Sequence, residues 1–110
     1  MVERTTTLDA VFGSLSDPIR RDILRRVALD ELSVNQIAEP YHVTLAAVSK
    51  HLKVLERARL IVKRRSGKQQ LVRLAPAGFV EAGAFLDLYK TQTLARFDSL
   101  ERHLKQEADR

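Results

Sequence analysis

The segment from Ser33 to Arg57, "SVNQIAEPYHVTLAAVSKHLKVLER", constrains the fold more than any other. Ser33 and Gln36 stand at capping-box spacing and start a helix, which Pro40 ends because proline has no N–H to give and crowds the preceding turn. Val34, Ile37 and Ala38 are the residues available to hold this short helix to a core. "PYHV" is then all that separates it from Thr44, a second N-cap, and so short a connection forces a sharp change of direction. Beyond Thr44, Leu45, Val48, Leu52 and Leu55 recur every three or four residues and define a buried side. Ala46, Lys50, Lys53 and Arg57 fall near the opposite side, with Ser49 and His51 on the shoulders. The expected product is a pair of angled helices, the second with a small, basic accessible face.

The flanking segments supply the remaining elements. In "SDPIRRDILRRVAL", Asp17 is placed as an N-cap and Pro18 as the first helical residue. Ile19, Ile23, Leu24 and Val27 form the buried stripe of that helix, and Arg20, Arg21, Arg25 and Arg26 face outward or flank it. Leu8, Val11, Phe12 and Leu15 have the spacing of an earlier amphipathic helix, while the first seven residues carry no such pattern and are expected to fray. Downstream, Leu60 to Val62 and Gln70 to Leu74 are short β-prone runs around Ser66, Gly67 and Lys68. They predict a two-stranded hairpin, which must lie against helices to be stable. A last long helix is expected from Ala77 to about Lys105, its start weakened by Gly78 and Gly83. Phe79, Phe85, Leu86, Tyr89, Leu94, Phe97, Leu100 and Leu104 give it more apolar surface than a small monomer readily hides. Either the helix folds back on its own core, or it joins a dimer together with Leu8 to Leu15.

Composition narrows the class. A chain of 110 residues suits one domain, and 45% hydrophobic with 30% charged residues is globular rather than disordered. The formal charge of +5 favours polyanions without specifying a fold. There is no cysteine, which excludes disulfides, thiolate catalysis and cysteine-based metal or redox sensing. The N-terminus lacks an apolar run of signal-peptide length and no later segment approaches a membrane span, so a cytoplasmic protein is expected, without a membrane partner.

No enzyme is expected. His42, His51 and His103 lie in distinct elements, and the chain has no glycine-rich phosphate loop, no supported nucleophile and no carboxylate pair suited to acid/base work. His103 and Glu107 are four apart on the final helix, but two ligands make a poor zinc site. Neither a metal nor a cofactor is implied.

Between Arg57 and Val80 the chain carries Arg57, Arg59, Lys63, Arg64, Arg65, Lys68 and Arg73 and no acidic residue. A one-signed run that borders a candidate recognition helix and includes a glycine-turned hairpin matches a winged helix laid against phosphates. Lys50, Lys53 and Arg57 have the reach for phosphates or purine edges, and Ser49 and His51 can donate to phosphate or base acceptors. Ala46 offers at most apolar contact to a thymine methyl, as does Leu45 unless it is core. Lys63, Arg64, Arg65 and Lys68 would bind phosphate or reach the minor groove from the wing. Thr44 and Gly67 complete the set as the cap of the recognition helix and the turn of the wing.

The stretches "LDAVFGSLSDPIRRDILRRV" and "LSVNQIAEPYHVTLAAVSKHLKVLERARLIVKRRSGKQQLVRLAP" resemble the ArsR/SmtB family of bacterial winged-helix transcriptional regulators. The likeness is closest to metal-independent members with an "SLxAVSKHLKVLExAGL" type of recognition segment. It implies a mainly α fold of about five helices with a two-stranded wing, spanning residues 1–110 as a single DNA-binding domain with dimerisation helices at both ends. It also implies a homodimer that binds an imperfect palindrome in double-stranded DNA and usually represses. On this resemblance Ser49 and His51 match the family's DNA-contacting serine and histidine, Lys50 and Lys53 match basic positions of the same helix, and Arg64, Arg65, Gly67 and Lys68 match the wing. The implied dimer surface comprises Leu8, Val11, Phe12, Leu15, Phe85, Tyr89, Leu94, Phe97, Leu100 and Leu104. The effector stays unknown. Two departures stand out. Arg59 occupies the place of the usual helix-ending glycine, where it either strains the turn or adds a phosphate contact. Leu45, Ala46 and Ala47 replace the usual polar residues early in the recognition helix, so base preference does not transfer. The other function considered is a winged helix serving as an architectural or protein-interaction module, which predicts binding without sequence preference.

Overall fold

Capping side chains open three of the five helices among the described residues. In the computed structural model, which describes residues 2–109, helix α1 spans Val2–Ser14 and α2 spans Pro18–Leu29. Asp17 Oδ1 accepts from the backbone N–H groups of Ile19 and Arg20 at 2.8 and 3.1 Å, the expected cap with proline at the first helical position. Helix α3, Val34–Ala38, carries the full capping box: Ser33 Oγ accepts from Gln36 N–H, and Gln36 Oε1 accepts from Ser33 N–H. Thr44 Oγ1 accepts from Ala47 N–H to open α4, Leu45–Arg57. Strands β2, Ile61–Ser66, and β3, Gln69–Leu74, form the wing, and α5 runs from Pro76 to Ala108.

Four expectations need correction. Helix α1 begins at Val2, although its first residues lack an apolar period. Extending an existing helix fixes only one residue per added hydrogen bond, so it tolerates such residues. Leu45 is 52% exposed and no part of the core, because in the first turn of α4 it faces an open recess beside the wing turn. Both wing strands extend to a two-residue turn, pairing Ser66 with Gln69. Gly67 holds that turn at φ +61°, the left-handed conformation that primed hairpin turns require. Finally, a short strand β1, Leu32–Ser33, joins β3 through Leu32↔Val72 and Ser33↔Leu71, so the sheet has three strands in the order β1-β3-β2. Two residues carry no periodicity; only the pairing with β3 makes them a strand.

Ile23, Val27, Ile37, Val48, Leu52, Leu55, Leu60 and Val72 form the core together with Val11 from α1, and Ala82 of α5 joins them. The turn from α4 into the wing is its tightest point. Arg59 adopts φ +59°, the only non-glycine residue with positive φ among those described. Backbone N–H of Gly78 donates to the Arg59 carbonyl at 2.8 Å. A Cβ on Gly78 would lie 2.3 Å from the Ala58 carbonyl oxygen. Glycine at 78 is therefore what lets α5 rest directly on this turn.

Past Ala82 no residue of α5 is buried. The helix leaves the core and projects, giving a radius of gyration of 19.6 Å, against about 13 Å for a compact chain of this length.

Candidate nucleic-acid interface

On α4, Ala46, Lys50, Lys53 and Arg57 recur at three- and four-residue intervals along the accessible side, opposite buried Val48, Leu52 and Leu55. The start of α4 is held by Thr44, whose side chain is committed to the cap. At the other edge the wing turn comes close. Ser49 and Leu45 of α4, Ser33, Val34 and Asn35 around the start of α3, and Lys68, Gln69 and Gln70 of the wing line one open recess of about 290 Å³. The recognition helix and the wing thus present Ser49 and Lys68 to the same space. Asn35, Gln69 and Gln70 were not expected there. Their amides carry no charge signal, but their place beside the wing turn and the cap of α3 marks them.

The basic residues divide by what they touch. Lys50, Lys53, Arg57, Arg65 and Lys68 are exposed and make no hydrogen bond or ion pair among the described residues. Lys63 and Arg64, expected to bind DNA, are engaged within the chain. Lys63 pairs with Glu56 of α4 at 3.5 Å, with its side chain only 16% exposed. Arg64 donates from Nε and Nη2 to both carboxylate oxygens of Glu31, at 3.0 and 2.8 Å. That fork holds the Glu31 carboxyl below its usual range and raises Arg64 above its own. Antiparallel pairing explains the outcome: β1 brings the acidic end of the α2–α3 connection beside the sheet, where Arg64 meets it. These two cations tie the wing to the body of the protein.

Nor is His51 free. Its Nδ1 lies 3.2 Å from Nη1 of Arg20 on α2. Other α2 arginines are likewise committed to backbone carbonyls. Arg26 donates to the carbonyls of Ile37 and Gln36 at 2.8 and 2.9 Å and lies 5.3 Å over the Tyr41 ring. Arg21 donates to the Leu15 carbonyl at 2.7 Å.

The apolar surface is separate from this face. Phe12 stacks edge-on against Phe85 at 5.9 Å, and Phe85 meets Tyr89 at 5.1 Å, so α1 and α5 share an aromatic cluster that remains partly exposed. Leu94, Phe97, Leu100 and Leu104 continue it, each at least half exposed. Leu86 and Leu88 are exposed as well. Val11, expected at a dimer surface, is fully buried within the single chain, because it packs into the core cluster rather than facing outward. Leu8 and Leu15 are half-buried, Leu15 against the core.

Among the described residues no three histidine, cysteine or acidic side chains converge as metal ligands, and His103 and Glu107 approach only each other, at 3.9 Å. No helix of the described residues is long and apolar enough to cross a membrane.

A three-stranded sheet with a hairpin wing beside an angled helix pair is the architecture of winged helix-turn-helix proteins. Residues 15–64 match the family model described as a helix-turn-helix domain. The HTH-type transcriptional regulator Rv2034 of Mycobacterium tuberculosis is 36% identical over 92 residues, covering 84% of this chain and 86% of that protein. Among solved structures, an ArsR family transcriptional regulator, RHA00566, superposes with a TM-score of 0.73 at 26% identity, over 84% of this chain and 93% of its own. A homodimeric winged helix-turn-helix DNA-binding domain from Mycobacterium bovis, Mb0332, superposes with a TM-score of 0.64 at 25% identity, over 80% and 82%. The chain belongs to the ArsR/SmtB family of winged-helix transcriptional regulators. It is a DNA-binding regulator, and its relatives are regulators rather than enzymes.

Proposed function

We propose that this regulator acts in the cytoplasm as a homodimer that binds an imperfect palindromic operator and represses the genes beside it. The observation that carries the reading is the set of exposed cations without a partner among the described residues, Lys50, Lys53 and Arg57 on α4 and Arg65 and Lys68 on the wing, with Lys68 lining the recess it shares with Ser49. A surface of this kind has α4 in the major groove and the wing over the adjoining backbone. Lys50, Lys53, Arg57, Arg65 and Lys68 take phosphates, while Ser49 and His51 donate hydrogen bonds and Ala46 approaches the bases. Whole-chain organisation follows from the same reading: one DNA-binding domain, with α1 and α5 as the dimerisation elements at its ends.

Dimerisation is supported by the exposed apolar run from Phe12 and Phe85 along α5 to Leu104, which water disfavours and a second copy of α5 would cover. The homodimeric neighbour supports it further. Two-fold symmetry then sets two half-sites about one helical turn apart, near 10 base pairs centre to centre. Repression follows from occlusion of the promoter by the bound dimer.

Fluorescence anisotropy on the native upstream duplex and on a scrambled one, across a salt series and with the protein mass measured alongside, tests this. A dimer that keeps the native duplex at physiological salt while losing the scrambled one supports the reading. Equal, salt-fragile binding to both would replace it with an architectural role.

A further inference from the structure

Arginine 20 belongs to α2, away from the exposed face of the recognition helix, yet its guanidinium reaches three groups on two other helices. Nε donates to the Ser14 carbonyl at 2.7 Å, Nη2 to the Gly13 carbonyl at 3.3 Å, and Nη1 lies 3.2 Å from His51 Nδ1. The two carbonyls belong to the last turn of α1, where helical geometry leaves C=O groups without intrahelical donors and with negative partial charge. A guanidinium has five donors in a rigid plane and no acceptor. At His51, then, Nδ1 must be the acceptor, and the ring proton sits on Nε2. Across the ring, Nε2 has no partner among the described residues. Asp17 lies near Arg20 and His51, but its Oδ1 is occupied in capping α2. The contact at Nδ1 belongs to Arg20.

We propose that Arg20 is the positioning residue for His51: its guanidinium fixes the imidazole as the Nε2–H tautomer, a ready donor to DNA, and ties its placement to the end of α1. The proposal rests on the reading of His51 as a DNA contact. A neutral imidazole free to tautomerise spends part of its time with Nε2 as an acceptor, which a phosphate repels. Arg20 removes that state before DNA arrives. Because the same fork grips the C-terminus of α1, a helix assigned above to the dimer surface, it joins that helix directly to the DNA-contacting side chain. A lysine has no comparable fork and cannot hold both carbonyls and the imidazole at once.

The decisive experiment combines long-range ¹⁵N NMR of the histidine ring with DNA titrations of the full chain. In the wild type at neutral pH, the His51 nitrogens should report a single Nε2–H tautomer. A tautomer mixture, or Nδ1–H, overturns the proposal without any variant being needed. Arg20→Lys, with folding checked by the amide spectrum, should release both the tautomer and the ring's placement and weaken binding to the native duplex about tenfold, the order expected when one hydrogen bond to a charged group is lost with that placement. His51→Ala should lose a similar factor. The double variant should lose no more than His51→Ala alone, since both changes interrupt one contact. Losses that multiply to about a hundredfold would show Arg20 acting on phosphate by itself and overturn the proposal, as would wild-type affinity in Arg20→Lys. If His51→Ala binds as well as the wild type, the reading of His51 fails, whatever the tautomer shows.

Discussion

Helix α2 and the pair formed by α4 and the wing are both basic, and they use that charge in opposite ways. On α2 the cations are all arginines, and Arg20, Arg21 and Arg26 direct their forks at carbonyls closing α1, its following turn and α3, while Arg25 pairs with Asp22. On α4 and the wing tip, Lys50, Lys53, Arg57, Arg65 and Lys68 find no partner among the described residues. The division follows surroundings more than residue type, since Arg57 and Arg65 are among the free cations while Lys63 is paired with Glu56. On α2 the planar fork satisfies several converging backbone oxygens at once. Net charge therefore says little about binding until each cation's partners are known.

The largest effect should come from removing the free cations. Combining Lys50→Ala, Lys53→Ala and Lys68→Ala should weaken DNA binding by about a hundredfold or more and reduce the slope of log affinity against log salt by roughly three. Urea unfolding should shift by less than about 0.5 kcal/mol. A large loss of stability in that variant would erase the distinction between the two regions.

Next in size is Arg26→Ala, which should cost about 2 to 3 kcal/mol in urea unfolding by releasing two carbonyls and the Tyr41 ring. Its salt slope for DNA should match the wild type at temperatures where both are folded. A lower slope would move Arg26 into the DNA-binding group.

Arg59 stands between the two groups, exposed and strained. Arg59→Gly should raise stability by about 1 kcal/mol, because only the non-glycine residue is penalised at φ +59°. DNA titration of the same variant sharpens the comparison: a slope lowered by about 0.9 assigns Arg59 to phosphate.

The smallest effect concerns the acidic partner of α2. The Tyr41 hydroxyl, and after it Arg25, donate to Asp22 and hold its carboxyl below the ordinary range. A lowered folded pKa means the contribution is present above the unfolded value, about 4, and disappears as pH falls through the folded one. Tyr41→Phe should thus be less stable by up to about 1 kcal/mol at pH 7. Urea curves at successively lower pH should show that gap narrowing below about pH 4, while a gap constant with pH would mean that Asp22 is not the group involved.

Much of the local structure was legible in the chain. The caps at Asp17, Ser33 and Thr44 work through neighbours two or three residues away, so spacing alone reveals them. Leu8 and Val11 illustrate the limit: both lie on the expected apolar stripe of α1, but only packing decided that Val11 is buried and Leu8 partly open. Gly78 read as a weakness in α5, whereas its lack of a Cβ is what admits the Ala58 and Arg59 carbonyls.

The site divides along the same line. Short-range physics, in the form of helical period, capping geometry and turn chemistry, placed Ser49, Lys50, Lys53 and Arg57 on one helix and Gly67 and Lys68 at one turn. Which cations remain free depends on residues far away in sequence: Glu31 takes Arg64 across 33 positions, and Arg20 reaches His51 across 31. The recess shared by Asn35, Ser49, Lys68, Gln69 and Gln70 likewise exists only once β1 and β3 have paired. A sequence lists charges and their local order. Their neutralisation falls off within a few ångströms, so only the tertiary structure, which sets those distances, decides which of them this regulator can offer to DNA.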